Sequence, residues 1–167
     1  MGTLTLEDIN HADREVFVEQ LGEIYEHSPW VAERSYSARP FESVPTLRQT
    51  FKQTVTEASK AEQLELLQAH PQLGADAELT DASETEQQSA GLDSLSPAQY
   101  ERLQELNQRY SERFGFPFIM AVKHQSVDAI QEAMETRLTN SAKAEFEAAL
   151  TEVHTIAAIR LEELLST

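Results

Sequence analysis

The sequence contains no cysteine, which excludes a disulfide framework, a thiolate metal site and a cysteine nucleophile together. It also lacks any apolar run long enough to span a bilayer. Basic residues are scarce: 13 Lys and Arg stand against 29 Asp and Glu, a formal net charge of −16. A surface of that sign repels nucleic acid and anionic lipid, so neither is expected as a partner. The acidic excess is spread along the chain, not gathered in a tail, and reads as a solvated surface. The five histidines (His11, His27, His70, His124, His154) are scattered and form no i,i+4 pair. A metal-dependent hydrolase would need clustered ligands, so no metal is expected. Met1 to Asp8 has neither the basic nor the apolar region of a signal peptide, and the expected location is the cytoplasm.

What remains is strongly helical. At 167 residues and 40% hydrophobic content, residues 1–167 are expected to form one domain with a substantial core. Apolar spacing predicts a helix near Asp13 to Tyr25, and Ser28-Pro29-Trp30 reads as a cap with Pro at the first helical position. Trp30 is expected in the core. A helix follows Ser43, with Leu47, Phe51 and Val55 on one face, and a leucine-rich helix runs to His70. Ser96-Pro97 opens the clearest helix, with Tyr100, Leu103, Leu106, Tyr110 and Phe114 on one face and Gly115 at its end. Ser126 caps another, and Asn140 starts the longest. Phe116 to Val122 has no helical period, and Pro117 demotes it from a central strand. With no strand-like partner it is expected as a buried extended connection whose backbone N–H groups need partners, which a ligand could supply. The expected fold is an all-α, single-domain bundle of about eight helices.

Leu66, Leu67 and His70 share a helical face, so the imidazole projects where the leucines project. Pro71 disfavours the α region for the residue before it, so the helix should end at His70. A titratable ring at a helix end, followed within a dozen or so residues by an acidic and amide-rich segment, is a candidate acid/base site. Pro71 to Ala82 is the longest polar connection, of a length that is often functional. Each feature also has a plain structural role. A His before Pro commonly caps a helix, and Ser83-x-x-Glu86 has the form of a capping box.

In the longest helix Phe146, Leu150, Val153, Ala157, Leu161 and Leu164 form an apolar stripe, and Arg160 falls inside it. An arginine there must meet a carboxylate, a carbonyl cluster or a ligand anion. A buried ion pair and a binding role both stay open.

Taken together, His70-Pro71-Gln72-Leu73-Gly74, Leu79-Thr80, Ser83-x-x-Glu86-Gln87-x-x-Ala90-Gly91-Leu92, Phe114-Gly115-Phe116-Pro117-Phe118-Ile119, Arg137-Leu138-x-Asn140 and Ile159-Arg160-Leu161 occur in the order typical of one family. Over nearly its whole length the chain resembles the 2-oxo-4-hydroxy-4-carboxy-5-ureidoimidazoline (OHCU) decarboxylases, which complete the conversion of urate to (S)-allantoin. One departure stands out: the residue after His-Pro is often acidic in that family and is Gln72 here.

The resemblance implies an all-helical, cofactor-free carboxy-lyase, usually a homodimer, acting on a small anionic ureidoimidazoline. It implies that His70 is the catalytic imidazole and Glu86 its acidic partner. It further implies substrate contacts from Pro71, Ser83, Gln87 and the backbone of Phe118, Ile119, Met120, Ala121 and Val122, with Arg160 as a binding residue. The alternative, a non-catalytic helical interaction module, would explain a bundle. It would not explain an inward His, an inward Arg and a buried Phe-Pro-Phe segment together.

Overall fold

The computed structural model describes residues 4–74, 81–123 and 125–166, with the side chains of 81–84 and 166 outside the description. Leu79-Thr80, His124 and half of the Pro71–Ala82 connection therefore lie outside the described residues. Among those described there are nine α-helices, and none is long and apolar enough to cross a membrane. The chain divides into two compact units, residues 1–69 with 154–167, and residues 70–153.

In the first unit, α1 (Leu6–His11) stands where no helix was expected, and after a break α2 (Arg14–Leu21) fills the first part of the span expected near Asp13–Tyr25. The break has a local cause. Asp13 accepts from the Val16 N–H and caps α2, so it cannot also continue α1. Ile24 and Tyr25 lie beyond α2 in a turn, yet both are buried. α3 (Trp30–Ser35) begins one residue later than Ser28-Pro29 suggests, and the Ser28 hydroxyl donates to the Glu26 carbonyl at 3.1 Å instead of capping. Trp30 is partly exposed, with the Arg34 guanidinium 4.6 Å from its ring centroid; it is not a core residue. α4 (Val44–Glu57) is capped by Ser43 and buries Leu47, Phe51 and Val55, as its spacing predicts. α5 (Lys60–Gln68) opens with a reciprocal box between Ser59 and Glu62. Leu4–Thr5 (β1) pairs in parallel with Leu165–Ser166 (β2), a contact no strand propensity announced.

In the second unit, α6 spans Asp81–Ser89 and α7 spans Pro97–Phe114. Ser96 caps α7 and Gly115 ends it in the left-handed region at φ 81°, where a residue without Cβ is favoured. Leu103, Leu106, Asn107 and Tyr110 form its buried line, while Tyr100 is 48% exposed, outside the face assigned to it. α8 (Val127–Arg137) is capped by Ser126. α9 (Ala142–Leu164), whose residues from His154 on belong to the first unit, begins after Ser141, whose hydroxyl accepts from the Ala144 N–H at 3.1 Å. The fully buried line of α9 runs through Glu145, Ala149 and Val153 to Ala157 and Leu161, with Phe146 and Leu150 only half buried.

Candidate active site

α5 ends at Gln68, and Ala69 turns its N–H back to the Glu65 carbonyl. His70 follows immediately and is 8% exposed, so the inward direction read from Leu66 and Leu67 holds. The three residues after Pro71 are anchored in sequence. Gln72 donates to the Ser111 hydroxyl at 3.2 Å, the Leu73 carbonyl accepts from the Asn107 amide at 3.0 Å, and the Gly74 N–H donates to Gln87 Oε1 at 3.0 Å. Two of these anchors lie on α7 and one on α6. The segment that carries His70 and Pro71 is therefore hung from the two helices that follow it. Asn107 leaves its Oδ1 buried with no hydrogen-bond partner.

Gly74 has φ 71°, and a Cβ there would come within 2.5 Å of Leu103 Cδ2. The glycine is required both by its backbone conformation and by its close approach to α7. Gln87 is buried, and because its partner is a backbone donor, the atom it turns to Gly74 must be the carbonyl oxygen. Any further hydrogen bond given by Gln87 must come from its NH2 group.

α6 begins at Asp81, so Ser83 and Glu86 stand inside the helix and are not its N-cap and N3 residues. The capping-box reading of Ser83-x-x-Glu86 is thereby corrected. Ser83's side chain lies outside the description. Glu86 is half buried, one residue before the buried Gln87. Past Ser89, the Leu92 N–H returns to the Gln87 carbonyl at 3.0 Å, with Gly91 at φ 78°, the helix stop its sequence predicts.

Phe116 to Val122 has no regular secondary structure and pairs with no strand among the described residues, with Phe116, Pro117, Phe118, Ile119 and Val122 buried and Met120 and Ala121 half buried. Its rings close around Tyr110 of α7, whose centroid lies 5.8 Å from Phe116 and 5.3 Å from Phe118, both edge-on. The polar backbone is held separately. The Ile119 carbonyl accepts from Arg137 Nη1 at 2.7 Å, and the Ala121 N–H donates to Glu152 Oε1 at 3.2 Å. At Ala121, then, the N–H expected to await a ligand already has a protein partner.

Arg137 rests on a buried network that sequence reasoning missed. Its Nε and Nη2 reach Glu145 Oε2 at 2.9 and 2.8 Å, and Glu145 is 0% exposed. The Tyr110 hydroxyl donates to the same oxygen at 2.5 Å, and Asn140 Nδ2 donates to Oε1 at 2.9 Å. Burial alone would raise the Glu145 carboxyl. The hydrogen bonds from Arg137, Tyr110 and Asn140 outweigh it and hold the group below the usual carboxylate range. Burial, and then the bond to Glu145, push the Tyr110 phenol up. The only signals in the sequence were Arg137 and Asn140 in a family pattern and a glutamate one helical turn before Ala149.

Arg160 belongs to the first unit. Its Nη1 lies 2.9 Å from Glu26 Oε1 and 3.2 and 3.4 Å from the Glu23 and Ile24 carbonyls. It thus meets both a carboxylate and a carbonyl cluster, two of the three partners its place in the stripe demanded. His70, Glu86, Gln87 and Phe118–Val122 all lie in the second unit.

Comparison with known proteins identifies the family. The sequence model of the OHCU decarboxylase family matches residues 10–162. The chain is 58% identical over 167 residues to the 2-oxo-4-hydroxy-4-carboxy-5-ureidoimidazoline decarboxylase of Haloferax volcanii, covering 100% of this chain and 99% of that one. It is 57% identical over 164 residues to the enzyme of the same name from Halalkalicoccus jeotgali, covering 98% and 93%. A crystal structure of (S)-allantoin synthase superposes with a TM-score of 0.79 at 33% identity, over 98% of this chain and 55% of that one. The helical fold, the buried His70, the α6 segment and the Phe-Pro-Phe connection occur on a chain that matches the family almost from end to end, and the protein belongs to the OHCU decarboxylase family.

Proposed function

We propose that the protein decarboxylates 2-oxo-4-hydroxy-4-carboxy-5-ureidoimidazoline to (S)-allantoin, without a cofactor, in the degradation of urate. The observation that carries this reading is identity of 57–58% to decarboxylases of that name over essentially the full chain. In the reaction the bond to the carboxylate carbon breaks and CO2 leaves. The electron pair passes into the conjugated C=N of the substrate's own imidazoline ring, leaving an enol at the carbon that lost CO2. That carbon's hydroxyl then gives up its proton to become the ring carbonyl as a proton adds to the neighbouring ureido-bearing carbon. The substrate is its own electron sink, so the protein must supply orientation, a partly dry pocket and donors aimed where charge develops.

In this reading His70 is the catalytic imidazole, engaging the hydroxyl and carboxylate end, and Glu86 orients its ring. Pro71 shapes the pocket, and Ser83 and Gln87 bind substrate from α6, Gln87 through its NH2 group. The backbone of Phe118 to Val122 supplies further contacts. Arg160 binds as a cation whose direction is fixed by Glu26. Protonation of one face gives the S centre. The active form is a cytoplasmic homodimer that takes a small anionic substrate and neither nucleic acid nor membrane.

The deciding experiment is a chiral assay. Freshly generated substrate decays unaided to racemic allantoin, so circular dichroism should report faster decay with an S-enriched product when the protein is present. Racemic product at the uncatalysed rate would reject the activity. A monomer by light scattering would reject the homodimer.

A further inference from the structure

The guanidinium of Arg137 works on two edges at once. Nε and Nη2 face Glu145, while Nη1 faces the Ile119 carbonyl at 2.7 Å. The plane also lies over Phe118, its Cζ 4.5 Å from the ring centroid. The Ile119–Met120 peptide is trans, the sole cis bond among the described residues being Arg39–Pro40. In a planar trans peptide the C=O and the following N–H point in opposite directions. Fixing the Ile119 carbonyl on Arg137 therefore fixes the Met120 N–H away from Arg137. Bonding of the carbonyl to a cation also polarises the peptide and strengthens that N–H as a donor. The next peptide is held too, through the Ala121 N–H on Glu152. Met120 is half buried, between the buried Ile119 and an amide that already has its partner.

We infer that Arg137 is a positioning residue of the decarboxylase site: held rigid by Glu145, Tyr110 and Asn140, it aims the Met120 N–H at the substrate without touching it. The inference rests on the proposed role of the Phe118–Val122 backbone as a substrate-contacting segment. It assigns one amide in that segment as the donor and explains why a fully buried glutamate stands on α9.

Arg137→Lys separates geometry from charge. A lysine ammonium can neutralise Glu145, but it is a single point and cannot serve the carboxylate and the Ile119 carbonyl as a planar fork does. The double variant Arg137→Met with Glu145→Gln removes both charges at similar volume, leaving no buried ion behind if the lysine variant folds poorly. Each folded variant is assayed for formation of S-enriched product, and the Met120 amide resonance is followed by NMR as (S)-allantoin is added. A misaimed donor should lower kcat about 10- to 100-fold with KM changed by less than about threefold. The Met120 shift seen in the parent protein should shrink. If the parent's Met120 amide stays still while other amides respond to (S)-allantoin, the segment is not a contact and both readings fall. If it moves in the parent, but either variant keeps the parent's kcat and the same shift, the contact stands and the role of Arg137 is overturned.

Discussion

Arg160 and Glu26 form an ion pair at 2.9 Å in which both side chains are buried, the glutamate completely. Arg160→Met alone removes the cation and leaves the carboxylate in the interior. It should cost about 3–5 kcal/mol in denaturant unfolding. The double variant with Glu26→Gln should recover most of that loss. If the single variant is as stable as the parent, the pair has no structural role, and Arg160 is maintained by binding alone.

His154 should make stability depend on pH. Its Nδ1 lies 2.8 Å from the Tyr25 hydroxyl, and burial, then the nearby charge of Lys52, push its pKa down from 6.5 to about 4. The unfolded chain therefore binds more protons than the folded one between those values. Stability should fall as pH drops from 6.5 toward 4, by on the order of 2–3 kcal/mol. His154→Asn, which does not titrate, should flatten that stretch of the pH–stability curve. An unchanged slope would place its origin elsewhere.

Gly74→Ala should destabilise by about 1–3 kcal/mol, since it puts a side chain at positive φ and drives a Cβ against the fully buried Leu103. Because Gly74 N–H is the bond to Gln87, the variant should also raise KM. A fall in Tm with unaltered KM would detach this turn from the binding function.

His70→Asn and Glu86→Gln should each abolish most of the rate acceleration, and the double change should cost little more, because residues acting as one unit are not additive. Glu86 is not a capping residue of α6, so Glu86→Gln removes no helix cap and should lower stability by at most about 1 kcal/mol. Independent, multiplying losses would mean the two residues do separate jobs.

With a net charge of −16 the protein repels its anionic substrate at long range. Moderate salt should first raise kcat/KM by screening that field, before higher salt weakens local contacts. A fall from the lowest salt upward would show that cations at the mouth govern approach.

What the sequence made legible was set by neighbours along the chain. Ser96-Pro97 and Gly115 bound α7 because a hydroxyl cap, a ring-fixed φ and a left-handed stop act within one turn. His70 was placed inward by the two leucines near it, and the Phe-Pro-Phe segment was read as buried and non-helical from its residues alone. Burial of charge was harder to see. Arg160 drew notice as a cation in an apolar stripe, whereas Glu145, equally buried, was lost because the adjacent Phe146 is the more apolar residue. Its partners, Arg137 and Tyr110, lie 8 and 35 residues away. No helix-period rule reports a carboxylate whose interior position depends on three donors from outside its own helix. Ser83 and Glu86 misled in the opposite sense: a correct local pattern was overridden by a helix that starts at Asp81.

The first unit draws on both ends of the described chain: Leu4 pairs with Leu165, and the carbonyl of Ile24 receives Arg160 from 136 residues downstream. On the ribosome, residues 4–69 must therefore wait through synthesis of the whole intervening unit before their missing strand and counter-charge emerge. Until then Glu26 lacks the cation that compensates its burial. Residues 70–153, by contrast, are contiguous in the chain, so the bonds they make among themselves need no residue synthesised after Val153.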